Sequence, residues 1–146
     1  MSGSSALGVR DSAKTFTVLV IDDDLNFASR VAESISQDGS QVLIADSAAT
    51  ALHLSLQHDA DAVLVAATLH EGGSYELVTE LRRHGLAERA AVILLTPTSM
   101  QALKAANVRG VDLVLSKPSN ASTFSGLLQF VERQWRRGEM TAARPN

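Results

Sequence analysis

The sequence predicts an α/β protein in which five strands and five helices alternate to form one doubly wound, open parallel sheet. Five short apolar runs recur along the chain, and a segment with helical spacing of its apolar residues follows each of them. The third run, Ala62–Ala67, is apolar on both alternating faces, as expected for a central strand covered by helices on two sides. No internal repeat or linker divides this pattern, so the 146 residues are expected to form one domain.

The strands are predicted from runs of β-branched and aliphatic residues that stop at polar residues. In chain order they are Phe16–Ile21, Gln41–Ala45, Ala62–Ala67, Ala91–Leu95 and Val111–Leu115. The first strand ends in three consecutive aspartates, the fourth ends at Thr96, and Lys117 follows the fifth. The third ends in Ala66-Ala67-Thr68, which contains no ionisable group.

The helices are predicted from apolar residues spaced three and four apart. Helix one is expected to begin after Asp24 as its N-cap and helix two near Ser47, whereas helix three should stop at Gly85. Helix four is expected at roughly Ser99–Val108, and the Arg82-Arg83 pair should lie at a solvated helix end, where cations suit the helix dipole. The residues predicted to face the core are Leu25, Ala28, Val31, Ala32 and Ile35 in helix one; Ala48, Ala51, Leu52 and Leu56 in helix two; Leu77, Val78 and Leu81 in helix three; Ala102, Leu103 and Ala106 in helix four; and Phe124, Leu127, Leu128, Val131 and Trp135 in helix five.

The composition limits the classes of function. Residues 1–14 and 138–146 are polar or rich in small residues and are expected to be flexible tails around a folded domain at 15–137. A formal charge of -3 gives no reason to expect nucleic-acid binding, and the absence of cysteine excludes disulfides and thiolate metal sites. No apolar run could cross a bilayer and the N-terminus lacks the apolar centre of a secretory signal, so we expect a cytoplasmic protein without membrane insertion.

Polar side chains are predicted to meet at the carboxyl ends of the strands, where open α/β sheets form their crevice. Asp22, Asp23 and Asp24 follow strand one, Thr96 follows strand four and Lys117 follows strand five. Adjacent carboxylates repel each other and are commonly neutralised by Mg²⁺, and a hydroxyl and an ammonium could hold phosphoryl oxygens. The aspartates could equally cap helix one while the lysine pairs with one of them. Both interpretations are open at this point.

Taken together, these segments resemble response-regulator receiver domains of the chemotaxis-regulator type across roughly Thr15–Arg136. The matching segments are Val18–Asp24, Ile93–Thr96, and Lys117-Pro118 after Gly110–Leu115. The resemblance implies a flavodoxin-like (βα)5 sheet with strand order 2-1-3-4-5. It also implies that Asp22 and Asp23 are the acidic pair that helps to hold Mg²⁺, that Thr96 is the switch hydroxyl, that Lys117 is the phosphate-pairing cation and that the Lys117–Pro118 bond is cis.

The sequence departs from that family at the end of strand three. There, receivers carry an aspartate that accepts a phosphoryl group from a histidine kinase, and this chain has Ala66. Alanine has neither a nucleophile nor a ligand oxygen, and the following Ala67 and Thr68 do not supply the missing group. Two lesser departures are Val114, where an aromatic is usual, and His70, where proline is common.

We therefore expect a pseudo-receiver that is not an enzyme and has no cofactor. At most weak Mg²⁺ binding is expected at Asp22 and Asp23, because one anionic ligand is missing. Lys117 is expected to occupy the metal position instead and to pair with Asp23.

The expected function is that of a phosphorylation-independent adaptor or regulator in a two-component-type signalling system. By resemblance, its partner should bind helix four and the exposed side of helix five, and a homodimer is left open. The expected polar contacts are Gln101, Lys104, Arg109 and Arg133.

Two alternative functions use the same strand ends. One is a haloacid-dehalogenase-like phosphatase with Asp22 as nucleophile and Asp24 as general acid, although the chain lacks the later acidic pair that such a metal site needs. The other is a small-ligand sensor that uses the pocket vacated at Ala66.

Overall fold

A computed structural model describes residues 15–36, 40–69, 73–85, 90–97 and 110–117, together with residues 126, 129, 132 and 133. The strands are β1 (Thr17–Ile21), β2 (Gln41–Ala45), β3 (Ala62–Ala66), β4 (Ala91–Thr96) and β5 (Leu113–Ser116). The helices are α1 (Leu25–Ser36), α2 (Ala48–Gln57) and α3 (Ser74–Glu80), and a π-helical turn, Leu81–Gly85, continues α3. Helix four, the core row of helix five, the Lys117–Pro118 bond and both predicted tails lie outside the described residues.

The five strands form one parallel sheet in the order β2-β1-β3-β4-β5, which confirms the predicted fold. β3 lies at the centre and all five of its residues are buried. One face of the sheet packs on α1 through Val18, Val20 and Leu64, and the opposite face packs on α2 and α3 through Leu19 and Val65. Consecutive residues of one strand therefore enter two different cores, which explains why the strands are apolar at every position.

Two predicted core leucines are exposed. Leu25 is 51% exposed because it is the first residue of α1, at the end of the sheet, and Leu56 is 66% exposed. In α2 the buried positions are Ala51 and Ser55, which are one turn apart, so the next residue, Leu56, is turned about 100° away from the sheet. The predictions for Leu25 and Leu56 were wrong.

The sequence predicted that Arg82 lies at a solvated helix end, and this prediction was wrong. Its Nη2 lies 2.8 Å from the buried carboxylate of Asp112, and its Nε donates to the carbonyl oxygen of Gly110 at 3.0 Å. Asp112 also accepts a hydrogen bond from the backbone N–H of Val92. This clamp ties the π-helical turn to the starts of β4 and β5, and it explains why β5 begins at Leu113 rather than at Val111.

Among the described residues, no helix is long and apolar enough to cross a membrane.

Candidate functional site

The three aspartates after β1 have different structural roles. The backbone N–H of Asp22 donates to Ala45 at 3.0 Å and so extends the pairing of β1 with β2. Asp22 Oδ1 accepts the backbone N–H of Asp24 at 2.9 Å, and Asp24 Oδ1 accepts that of Phe27 at 3.2 Å. Asp24 is therefore the N-cap of α1, as predicted, while Asp22 shapes the turn that leads into the helix.

Lys117 connects the last strand of the sheet to this turn. Its backbone N–H donates to Thr96 at 2.6 Å, which places the residue directly after β5. Its Nζ lies 2.7 Å from Asp22 Oδ2, 4.0 Å from Asp24 Oδ2 and 4.4 Å from the centre of the Phe27 ring. The expectation that Lys117 pairs with Asp23 was wrong: its partner is Asp22, because the turn directs the Asp22 carboxylate inward.

The ion pair is buried on its acidic side. The Asp22 side chain is 2% exposed and that of Lys117 is 24% exposed. Asp22 Oδ2 has no hydrogen-bond donor in the described part of the chain, so the 2.7 Å approach of the ammonium is an ionic contact whose direction does not suit a hydrogen bond. β3 and β4 lie between β1 and β5, so this pair extends across the carboxyl ends of both central strands.

Those two strands end in residues without charge. Ala66, the last residue of β3, is 3% exposed, and its carbonyl oxygen accepts a hydrogen bond from Ser74 Oγ at 2.8 Å. Thr96, the last residue of β4, is fully buried, and its Oγ1 donates to Leu115 at 3.3 Å. The structure thus brings Asp22, Thr96 and Lys117 to one edge of the sheet, at which β3 presents only a methyl group.

The residues that the structure describes do not fit a resident Mg²⁺ ion. Magnesium requires several oxygen ligands in near-octahedral geometry. Among the described residues no group of three acidic or histidine side chains could hold a metal ion. The buried carboxylate oxygen Asp22 Oδ2 instead faces the ammonium of Lys117. A metal ion would have to displace that ammonium.

Most of the residues predicted to contact a partner lie outside the described residues. Gln101, Lys104 and Arg109 lie outside the described residues, whereas Arg133 is helical and exposed. Phe27 and Ser74, which support Lys117 and the end of β3, were missed. Cation–π pairing of Phe27 had no local signal, because Lys117 is distant in sequence. Ser74 directly follows Gly73, and because glycine is among the residues found at helix N-caps, the sequence could have placed Ser74 at the start of α3.

A family model for the response regulator receiver domain matches residues 18–129. A response regulator receiver protein of Anaeromyxobacter sp. (strain Fw109-5) is 36% identical over 100 residues, which covers 68% of this chain and 42% of that protein. The chain thus matches less than half the length of this relative.

Solved structures share the fold. The chemotaxis response regulator CheY4 of Vibrio cholerae has a TM-score of 0.71 at 22% identity and covers 81% of this chain and 99% of its own. A response regulator of Burkholderia pseudomallei with a phosphorylated aspartic acid, calcium ion and citrate has a TM-score of 0.63 at 24% identity and covers 80% of this chain and 72% of its own. At these identities the likeness concerns the fold.

Proposed function

We propose that this chain, which belongs to the response regulator receiver domain family, signals by binding another protein and is never itself phosphorylated. The observation that carries the proposal is Ala66, the uncharged and buried last residue of the central strand. A receiver needs a carboxylate at this position, because the phosphoryl group is held there as an acyl phosphate. The methyl group of alanine cannot form that bond.

Among the described residues, the carboxylates of Asp22 and Asp24 are not arranged to replace the missing one. Asp22 is engaged by Lys117 and by the backbone N–H of Asp24, and Asp24 caps α1. A carboxylate that already forms an ion pair and a turn hydrogen bond is a poor nucleophile, since both contacts stabilise its charge. The same engagement of Asp22 and Asp24 gives no support to a haloacid-dehalogenase-like phosphatase, and the family match does not favour it either.

The ion pair between Lys117 and Asp22 supports a single, constant arrangement of the site. In a receiver that is phosphorylated, a metal ion neutralises the acidic pair and a phosphoryl group neutralises the lysine, and both are bound reversibly. Here the lysine and an aspartate neutralise each other at 2.7 Å, with the Phe27 ring against the ammonium. We infer that the domain has no phosphate-driven switch and that its output depends on the amount of partner bound.

The proposed partner is a signalling protein that binds helix four and the exposed side of helix five. This face is the usual output face of receivers, and its predicted contacts are Gln101, Lys104, Arg109 and Arg133. Exposed Arg133 on a helical segment fits that assignment. Binding there would occur in the cytoplasm and would involve neither nucleic acid nor a membrane.

A phosphorylation assay tests the proposal. The chain is incubated with acetyl phosphate and Mg²⁺, and intact mass is measured with and without hydroxylamine, which cleaves acyl phosphates. We expect no added phosphoryl group on the parent chain, whereas the Ala66→Asp variant should acquire a hydroxylamine-sensitive one. A hydroxylamine-sensitive label on the parent would overturn the proposal. A ligand sensor would instead be indicated by a small molecule that stabilises the parent but not Ala66→Phe, a variant that fills the pocket.

A further inference from the structure

The segment that contains β2 and α2 is nearly without charge. Asp46 is the single Asp, Glu, Lys or Arg in residues 40–57, although the whole chain has 13 basic and 16 acidic residues among 146. A surface segment of a soluble protein normally carries charges, and their depletion is the compositional mark of the centre of a protein interface. This unusual composition directs attention to the β2 end of the sheet.

β2 is the edge strand of the described sheet, next to β1. Gln41 N–H donates to Phe16 and Asp22 N–H donates to Ala45, so residues 41, 43 and 45 direct their backbone groups towards β1. The N–H and C=O groups of Val42 and Ile44 therefore point away from the sheet, and β2 pairs only with β1 in the described part of the chain. Edge strands are normally protected by charged residues, proline or a bulge, and β2 has none of these.

α2 exposes apolar surface next to this edge. It packs on β1 and β2, and α3 and the π-helical turn contact it from the centre of the sheet, so α2 is the outermost described helix of its layer. Ser55 is buried and donates to the carbonyl oxygen of Leu52, whereas Leu56 is exposed. Leu56 thus adds an apolar side chain to the uncharged surface of this segment, where a partner could bury it.

We propose that a second copy of this chain binds along β2 and α2, with the two β2 strands antiparallel around a two-fold axis at Leu43. In this register Val42 lies opposite Ile44 of the second copy. The N–H of each of these two residues donates to the C=O of the other, as in a hydrogen-bonded pair of an antiparallel sheet. Asp46 lies opposite Ser40 of the second copy, so no two carboxylates face each other.

The uncharged surface favours a second copy over a charged partner. An isologous interface brings each residue near its own counterpart, so a patch with net charge repels itself, whereas this one does not. At the end of the sheet with Asp22, Asp23 and Asp24, by contrast, two copies would repel each other through their carboxylates. The exposed apolar side chains of both copies would be buried together.

The test measures association of the full chain by analytical ultracentrifugation over a concentration series, together with amide hydrogen exchange. We expect a monomer–dimer equilibrium whose dissociation constant rises about tenfold or more in Leu56→Glu, because each dimer loses two buried leucines. Leu25→Glu is the matched control, since Leu25 is also an exposed leucine but lies on α1. This control should dimerise like the parent.

Hydrogen exchange locates the interface within β2. The amides of Val42 and Ile44 should become protected as the concentration rises, whereas protection of Leu43, whose N–H faces β1, should not depend on concentration. A chain that stays monomeric up to millimolar concentration would overturn the proposal. A dimer that survives Leu56→Glu, or in which Val42 and Ile44 exchange at the same rate at all concentrations, would overturn it as well.

Discussion

Replacing Lys117 by methionine should lower the stability of the protein, because the buried carboxylate of Asp22 then loses its counter-ion. Methionine keeps most of the aliphatic volume, but it removes the ammonium that lies 2.7 Å from Asp22 and 4.4 Å from the centre of the Phe27 ring. Removing one partner of a fully buried ion pair costs about 3–5 kcal/mol. The Lys117 side chain is 24% exposed, so water can enter part of the vacated space. We therefore expect Lys117→Met to lower the free energy of unfolding by about 2–3 kcal/mol.

A double-mutant cycle separates the ion pair from other effects of the substitution. Asp22→Asn keeps an oxygen that can accept the Asp24 N–H, and it leaves an ammonium that is still near Asp24 and partly in water. It should therefore cost only about 1 kcal/mol. The double variant should cost less than the sum of the single ones, with a coupling energy of about 1–3 kcal/mol. The measurement is urea unfolding with unchanged m-values.

Magnesium provides a second readout for the same variants. If the ammonium of Lys117 excludes the ion, millimolar Mg²⁺ should stabilise Lys117→Met more than the parent chain, and Asp22→Asn should abolish that gain. A coupling energy below about 0.5 kcal/mol would refute the energetic argument. Equal stabilisation of the parent and Lys117→Met by Mg²⁺ would refute the idea that the lysine occupies the position of the metal.

Three further predictions concern other parts of the chain. Ala66→Asp should lower the free energy of unfolding without Mg²⁺ by about 2 kcal/mol, because it buries an additional carboxylate, and it should raise Mg²⁺ affinity; a melting temperature without Mg²⁺ at or above that of the parent would contradict this. Arg82→Met should cost about 3 kcal/mol in urea unfolding because it removes the guanidinium that lies 2.8 Å from the buried carboxylate of Asp112, and adding Asp112→Asn should restore part of the loss; purely additive costs would disprove the coupling. Charge reversal at Lys104 and Arg133 should weaken partner binding about tenfold in a titration while the melting temperature is unchanged; loss of binding from substitutions on α1 alone would place the partner elsewhere.

The sheet was predictable because nearly every strand position carries an apolar residue, which indicates that it is buried. Runs such as Ala62–Ala66 are apolar at every position, which fits a strand covered on both faces, and their shortness favours strand over helix. Strand ends were less predictable. Val111 reads as strand, yet β5 begins at Leu113 because the side chain of Asp112 binds Arg82 and the N–H of Val92. These contacts join residues far apart in sequence, so no local pattern announces them.

The face of α2 was not predictable from periodicity. Leu52, Leu54 and Leu56 alternate, and residues two apart in a helix point in nearly opposite directions. Such a pattern cannot place all three leucines in one core, and it does not say which should be left out. Packing decides the matter: the small residues Ala51 and Ser55 let α2 approach the sheet closely, and Leu56 is left outside.

The sequence predicted which residues lie at the strand ends of the site, but it did not predict which of them contact each other. Topology alone brings Asp22, Thr96 and Lys117 to one edge, because the carboxyl ends of parallel strands share it. Which of two adjacent aspartates meets the lysine depends on the turn after β1. That turn is closed by the Asp22 carboxylate itself, and Asp23 is only half-buried.

The contacts of Asp22 and Lys117 bear on how such strand-end residues should be interpreted. In this fold an acidic turn and a lysine can be required for stability, because each neutralises the other across the uncharged ends of β3 and β4. Under the proposed function, this ion pair would account for their presence. The residue that distinguishes the two cases is the last one of the central strand, since a carboxylate there would add a second buried negative charge at the same end of the sheet as Asp22, and the single ammonium of Lys117 cannot balance both. With alanine at that position, the one buried carboxylate, Asp22, is neutralised by Lys117 within the protein itself, and the site can remain closed.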